Sequence, residues 1–180
     1  ALMAARKAKA ERVRARGENP FANDVTEREQ STPLTTLADV RAHHLSARCD
    51  DGKYDKDKVA AAPATFRVAG RVLFLRSFGG GAFVRLRDRT GELQLYCQGP
   101  VLGAHFERLD DLDLGDFVEA SGETMATDKG ELSLNPTTLR LLTKAMRPLP
   151  TKTSFTDVEQ RYRMRYVDLF ANREVEAVFR

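Results

Sequence analysis

Between Phe66 and Leu142 apolar and polar residues alternate in five short runs, and this period of two constrains the fold more than any other feature of the chain. The runs are FRVAGRVLFLR (66–76), AFVRLRD (82–88), GELQLYCQ (91–98), DFVEASGETMA (116–126) and GELSLNPTTLRLL (130–142). Alternation with that period puts successive side chains on opposite faces of a half-buried strand. FGGG at 78–81, RTG at 89–91 and DKG at 128–130 punctuate the runs with turn signals of the hairpin kind. Between the third and fourth runs, VLGAHFERLDDLDLG spaces Leu102, Phe106 and Leu109 by four and three residues, which predicts a helix.

Three strands in a meander, a helix and two further strands is the order of an OB-fold, a small barrel that commonly binds oligonucleotides. The expected class is therefore mainly β: a five-stranded OB-fold barrel with an N-terminal basic α-helix and a C-terminal linker leading into a truncated helical segment. The helix is expected over residues 3–16, rich in Ala, Arg, Lys and Glu, with Gly17 at its C-cap and Pro20 beyond. Residues 1–16 carry Arg6, Lys7, Lys9, Arg12, Arg14 and Arg16 against Glu11, a balance of +5 in a chain of net charge +3. A basic end on a near-neutral body suits a polyanion such as RNA and would add non-specific affinity, although many basic helices are only solvated faces. Thr35 or Thr36 is placed to cap a short helix through Leu37, Val40 and His44. After Lys144 the RPLP break precedes a charged helical pattern, EQRYRMRYVDLF, and NREVEAVFR ends at Arg180 without a Gly or Pro stop, so a truncated chain is expected. The division predicted is an N-terminal extension over 1–62, a barrel over 63–143, and a linker with the start of a further domain over 144–180.

Strand parity sorts the candidate binding residues. Ala82, Val84 and Leu86 face the core, leaving Phe83 outside beside Arg85 and Arg87. A flat apolar ring flanked by cations suits a single-stranded base and its backbone; the alternative is a ring packed under a loop or under the N-terminal segment. Leu93, Leu95 and Cys97 point inward, which puts Gln94 and Tyr96 on the same outer surface, and Gln94 carries both a donor and an acceptor for a base edge. Glu131 opens the fifth strand and either accepts from a base N–H or is a solvated carboxylate. Counting from Val68, Gly70, Val72 and Phe74 puts Arg76 on the core side, so its use as a ligand requires a bulge or twist near the strand end.

Other chemistries find little support. Cys49 and Cys97 form no CxxC, and His43, His44 and His105 have no partner at metal-ligand spacing, so no metal site is expected. Asp110, Asp111 and Asp113 do not fit an EF-hand, and no GxxxxGK[ST] loop is present. The longest run of aliphatic and aromatic residues, Val72 to Leu75, falls far below the roughly 20 residues of a membrane span. The N-terminus lacks the apolar core of a secretory signal.

The tail LRLLTKAMRPLPTK followed by EQRYRMRYVDLFAN closely resembles the junction between the anticodon-binding and catalytic domains of lysyl-tRNA synthetases of the bacterial class II type. The resemblance extends to VAGRV, FVRLRD, GELQLY, LGDFV and KGELSL along the barrel and to RKAKAERVRARGENPFAND before it, and is weakest over 28–62. Met164 stands where that branch usually has Gln, and Val167 where it usually has Leu. The resemblance implies that the barrel binds the anticodon loop of lysine tRNA. It implies base stacking at Phe83, hydrogen bonding to the central uridine by Gln94 with Arg76, and contact to a flanking base at Glu131. It further implies a cytoplasmic, homodimeric full-length ligase that forms lysyl-adenylate from lysine and ATP with magnesium and transfers lysine to tRNA. Its catalytic domain would begin near Phe155. The ATP- and lysine-binding motifs are absent from these 180 residues, so the fragment should hold no catalytic residue or cofactor and be inactive alone. A free-standing OB module binding single-stranded nucleic acid would share the barrel but has no need of the tail. A purely structural or dimerising domain would not need Phe83 exposed.

Overall fold

The computed structural model describes residues 2–22, 24–25, 32–150 and 156–179, which form two compact units, Ala1–Arg147 and Pro148–Arg180. In the first unit the five strands are β1 (Thr65–Phe78), β2 (Gly81–Arg87), β3 (Glu92–Gln98), β4 (Phe117–Ala126) and β5 (Leu132–Thr143). They close into a barrel in the order β1-β2-β3-β5-β4, the OB-fold expected from the sequence. β1 is long enough to serve two neighbours: residues 65–71 pair with β4 and 71–78 with β2. A short parallel pairing, Gln94 with Ser133 and Leu95 with Leu134, closes the circle and leaves the sheet with no free edge there. The inward set predicted by parity is the observed core: Val84, Leu86, Leu93, Leu95 and Cys97 are buried with Val68, Val72, Val118, Leu132 and Leu134. Burial in this core pushes the Cys97 thiol up to about 12, which makes it an inert packing group. On β5, Pro136 lies opposite Gly122 at a bulge; a Cβ on Gly122 would stand 2.1 Å from the Asn135 carbonyl oxygen, so only glycine permits this approach.

The segment between β3 and β4 departs from the expected helix. One α-turn, α4 (Gly99–Leu102), gives way to a 3₁₀ stretch over Gly103–Asp111, where Gly103 takes φ +54° and interrupts the α-helical backbone. Leu102 and Leu109 still plug the barrel end, with Phe106 packed against them. The barrel is flanked by α2 (Leu37–His43), with Thr36 as N-cap, and by α3 (Lys56–Ala61), capped by Asp55. The 88–91 turn braces α2: Asp88 accepts from Leu37 N–H at 2.9 Å and Thr90 Oγ from Ala38 N–H at 3.0 Å.

The basic N-terminal helix is present as α1 (Leu2–Ala15) and ends at Gly17, whose φ is +76°. Its apolar face is thin, as the composition implies; what docks it is charge. Arg12 and Arg16 both donate to the Asp111 carboxylate, at 2.9 and 2.6 Å. Lys9 reaches Asp113 at 2.9 Å, and Arg6 donates to the carbonyls of Ala145, Arg147 and Leu114. Beneath them Lys144, its side chain fully buried, donates to Asp113 at 2.6 Å, Asp116 at 2.7 Å and the Asp111 carbonyl at 2.8 Å. Burial pushes the Asp113 carboxyl up, but the hydrogen bonds from Lys144 and Lys9 outweigh it and hold it below the usual range. At fully buried Asp116 desolvation prevails and raises the carboxyl despite the same lysine. Much of the +5 balance that the sequence suggested for a polyanion is thus engaged within the molecule.

The second unit contains α5 (Val158–Arg163), α6 (Arg165–Ala171) and α7 (Arg173–Phe179). The helical pattern breaks at Met164 and Asn172, both with non-helical backbone. The buried Asp168 carboxylate gathers the pieces, accepting from Arg161 at 2.9 Å, Arg165 at 2.8 Å and Asn172 at 2.6 Å. Phe155 lies outside the described residues.

Candidate nucleic-acid interface

The outer face of β1, β2 and β3 owes its composition to one irregularity. The β1–β2 register shifts between Val72 and Phe74, so that Leu75 pairs with Val84 while Arg76 pairs with Phe83 and Phe74 with Arg85. This is the bulge that Arg76 required: it reverses the inside–outside count, and Arg76 becomes exposed. Phe74, assigned to the core side by uninterrupted counting, is instead 49% exposed. Across β3 the rows continue, with Phe83 opposite Tyr96 and Arg85 opposite Gln94. Arg76, Phe83 and Tyr96 therefore occupy one row, and Phe74, Arg85 and Gln94 the next.

Phe83 belongs to a cluster of three rings. It lies 4.9 Å from Tyr96 with 21° between the planes, and 5.2 Å from Phe78. Phe78 and Tyr96 are 6.2 Å apart at 22°. Such pairs contribute about 0.5–1.5 kcal/mol beyond burial, enough to hold each ring in a defined orientation. Phe78 opens FGGG, which by sequence reads whole as a turn. In the structure the turn proper is Gly79–Gly80, with Gly80 at φ +79°, and Phe78 is the last residue of β1.

Charge on this face is paired in part. Arg87 pairs with Glu92 at 2.7 Å, and Arg41 donates to the Glu92 carbonyl at 2.7 Å. Arg76 and Arg85, both exposed, make no ion pair among the described residues. Gln94 donates through its amide nitrogen to Ser133 Oγ at 2.9 Å, which fixes the side chain and leaves its carbonyl oxygen to accept from a ligand. Glu131 stands just before β5, two residues from Ser133. Its backbone is pinned to Thr127 and its carboxylate is 3.9 Å from Arg41. It thus sits toward the Glu92 end of the face, beyond Gln94 and away from Phe78. Among the described residues no group of three or more His, Cys, Asp or Glu side chains could hold a metal ion, and no helix is long and apolar enough to cross a membrane.

The arrangement is a sheet surface offering π faces, free guanidinium groups and an amide acceptor, which are the means by which unpaired bases and their backbone are held. Comparison with known proteins agrees. Residues 66–142 match the family model of the tRNA anticodon type described as an OB-fold nucleic acid binding domain. The lysine–tRNA ligase of Anaeromyxobacter dehalogenans is 43% identical over 180 residues, covering 99% of this chain and 33% of that protein. The chloroplastic/mitochondrial lysine–tRNA ligase of Arabidopsis thaliana is 38% identical over all of this chain and 28% of its own length, and that of Dehalococcoides mccartyi is 37% identical over 99% and 33%. The chain spans about a third of the length of the curated relatives it matches. Residues 66–142 are thus similar to OB-fold nucleic acid binding domains, and over its whole length the chain is similar to the corresponding third of lysine–tRNA ligases.

Proposed function

We propose that the chain is the anticodon-reading region of a lysine–tRNA ligase and that the outer face of β1–β3 holds the anticodon loop of lysine tRNA. The observation that carries this reading is the common row of Arg76, Phe83 and Tyr96, next to Gln94 with its carbonyl oxygen left free, in a chain whose relatives are lysine–tRNA ligases. Uridine presents an N–H donor between two carbonyl acceptors on its Watson–Crick edge. The Gln94 carbonyl suits the first and the unpaired Arg76 guanidinium suits a carbonyl beside it, while Phe83 supports the ring. Arg85 faces the backbone, and Glu131 accepts from a flanking base. The intact enzyme, a cytoplasmic homodimer in this reading, uses ATP and magnesium to make lysyl-adenylate and charge the tRNA. The side chains described here include no set suited to a metal, so that chemistry is assigned to none of them. Residues 1–62 form the helical extension, 63–143 the barrel, and 144–180 the linker and start of the catalytic domain.

The test compares binding of the lysine tRNA anticodon stem-loop with the same RNA carrying cytidine in place of the central uridine. Cytidine reverses the donor and acceptor, setting a lone pair against the Gln94 carbonyl, and should cost about 1–3 kcal/mol. Equal affinities overturn the reading.

A further inference from the structure

We propose that Phe78, with the amide of Gln98 on the same cross-strand row, forms a second base subsite adjacent to Phe83, for the unpaired nucleotide next to the one stacked on Phe83; the proposal rests on the RNA-binding reading of this face. Phe78 ends β1 at the tip of the first hairpin and is 41% exposed, so the ring serves the barrel core little. Its orientation is nevertheless set. The ring folds across Gly81, its partner in the register, where a Cβ would stand 2.6 and 2.7 Å from two ring carbons. Gly81 is thus the empty seat that lets the ring lie down beside Phe83 and Tyr96. A ring held this way before binding loses little freedom when a base stacks on it.

Gln98 faces Gly81 across the β2–β3 pairing and so lies on the same row as Phe78. Its carbonyl oxygen accepts from Asn135 Nδ2 at 3.1 Å, which fixes the amide, and among the described residues its own N–H groups have no acceptor. Gln94 and Gln98 are therefore held in opposite senses. Gln94 spends its donor on Ser133 and offers an acceptor; Gln98 spends its acceptor on Asn135 and offers donors. The second subsite accordingly takes a base presenting a carbonyl or ring-nitrogen acceptor. The free arginines Arg76 and Arg85 lie on the rows that follow, where the strand backbone would continue.

The experiment measures dissociation constants of the whole chain and of Phe78→Leu, Phe78→Tyr, Gly81→Ala and Phe83→Ala. The RNAs are the lysine tRNA anticodon stem-loop and three versions of it, abasic at the central position or at either neighbour. Leucine keeps the apolar bulk at the hairpin tip, and far-ultraviolet circular dichroism checks the fold. Phe78→Leu should weaken the unmodified RNA at least about 5-fold, at the low end for one lost stack, and Phe78→Tyr should retain the affinity. Gly81→Ala, which displaces the ring, should match Phe78→Leu. The loss from Phe78→Leu should vanish with the RNA abasic at one neighbour and persist with the RNA abasic at the centre. A loss that vanishes only with the central abasic RNA would make Phe78 a prop for Phe83 and overturn the proposal, as would no loss at all. If Phe83→Ala and the central abasic site are both without effect, the RNA-binding reading itself fails, whatever Phe78 does.

Discussion

The outer face of β1–β3 and the seam beneath α1 are both rich in basic residues, and they use them in opposite ways. In the seam, Lys9, Arg12, Arg16 and Lys144 meet Asp111, Asp113 and Asp116 at 2.6 to 2.9 Å, and Lys144 is fully buried. On the outer face, Arg76 and Arg85 are exposed among aromatic rings and have no carboxylate partner among the described residues. The seam joins distant parts of the chain; the face leaves Arg76 and Arg85 without an ion pair among the described residues. Counting charges along the chain points to the first region, where residues 1–16 carry +5. Pairing in three dimensions points to the second.

The sharpest break between the two regions should come at Lys144. Removing one member of a buried pair leaves an uncompensated charge and costs about 3–5 kcal/mol, so Lys144→Ala should lower the midpoint of urea unfolding strongly. RNA affinity of the folded fraction should stay unchanged. Phe83→Ala should do the reverse, costing roughly 1–3 kcal/mol in RNA binding, the range for one base–aromatic stack. It should cost less in stability than Lys144→Ala does, since its two ring contacts, with Phe78 and with Tyr96, contribute about 0.5–1.5 kcal/mol each. Calorimetric titration beside a thermal melt separates the two. A large stability loss with intact binding would make Phe83 a structural ring.

Salt dependence sharpens the contrast. Each phosphate neutralised on a single strand contributes about −0.7 to the slope of log affinity against log salt. Arg85→Gln should therefore flatten the slope by about that amount, whereas Lys9→Gln and Arg16→Gln, which remove cations already paired, should leave it alone. An equal change from α1 would return that helix to the RNA-binding surface.

The barrel was legible because alternation is local: once Val84 and Leu86 face inward, Phe83 and Arg85 cannot, and the same count on β3 sets Gln94 and Tyr96 outside. Three features escape it for reasons that are not local. The bulge between Val72 and Phe74 is a property of the β1–β2 register, so the sequence exposes it only as a conflict at Arg76. Phe78 stands before three glycines and reads as turn; its place over Gly81 depends on a cross-strand neighbour. The α1 seam was missed for a similar reason, since its acidic partners lie some hundred positions along the chain.

A smaller effect should distinguish the regions by pH. His44, buried against Thr124 at 2.7 Å, has its pKa lowered, first by burial and then by His43. The unfolded chain therefore takes up a proton before the folded one does. Stability should be fully present above the ordinary histidine value near 6.5 and decline as pH falls from there toward the folded value. Melting temperatures between pH 7.5 and 5.5 should fall in wild type and less in His44→Gln, while RNA affinity of the folded protein holds steady because no such group lies on the β1–β3 face. A similar fall in both proteins would exclude His44 as the cause.

The most direct measurement is a titration of the ¹⁵N-labelled chain with the lysine tRNA anticodon stem-loop, followed by amide chemical shifts. The largest changes should fall on residues 74–78, 81–87 and 92–98, with α1 and residues 111–116 close to their free positions. Large shifts along α1 with a silent β1–β3 face would contradict the account.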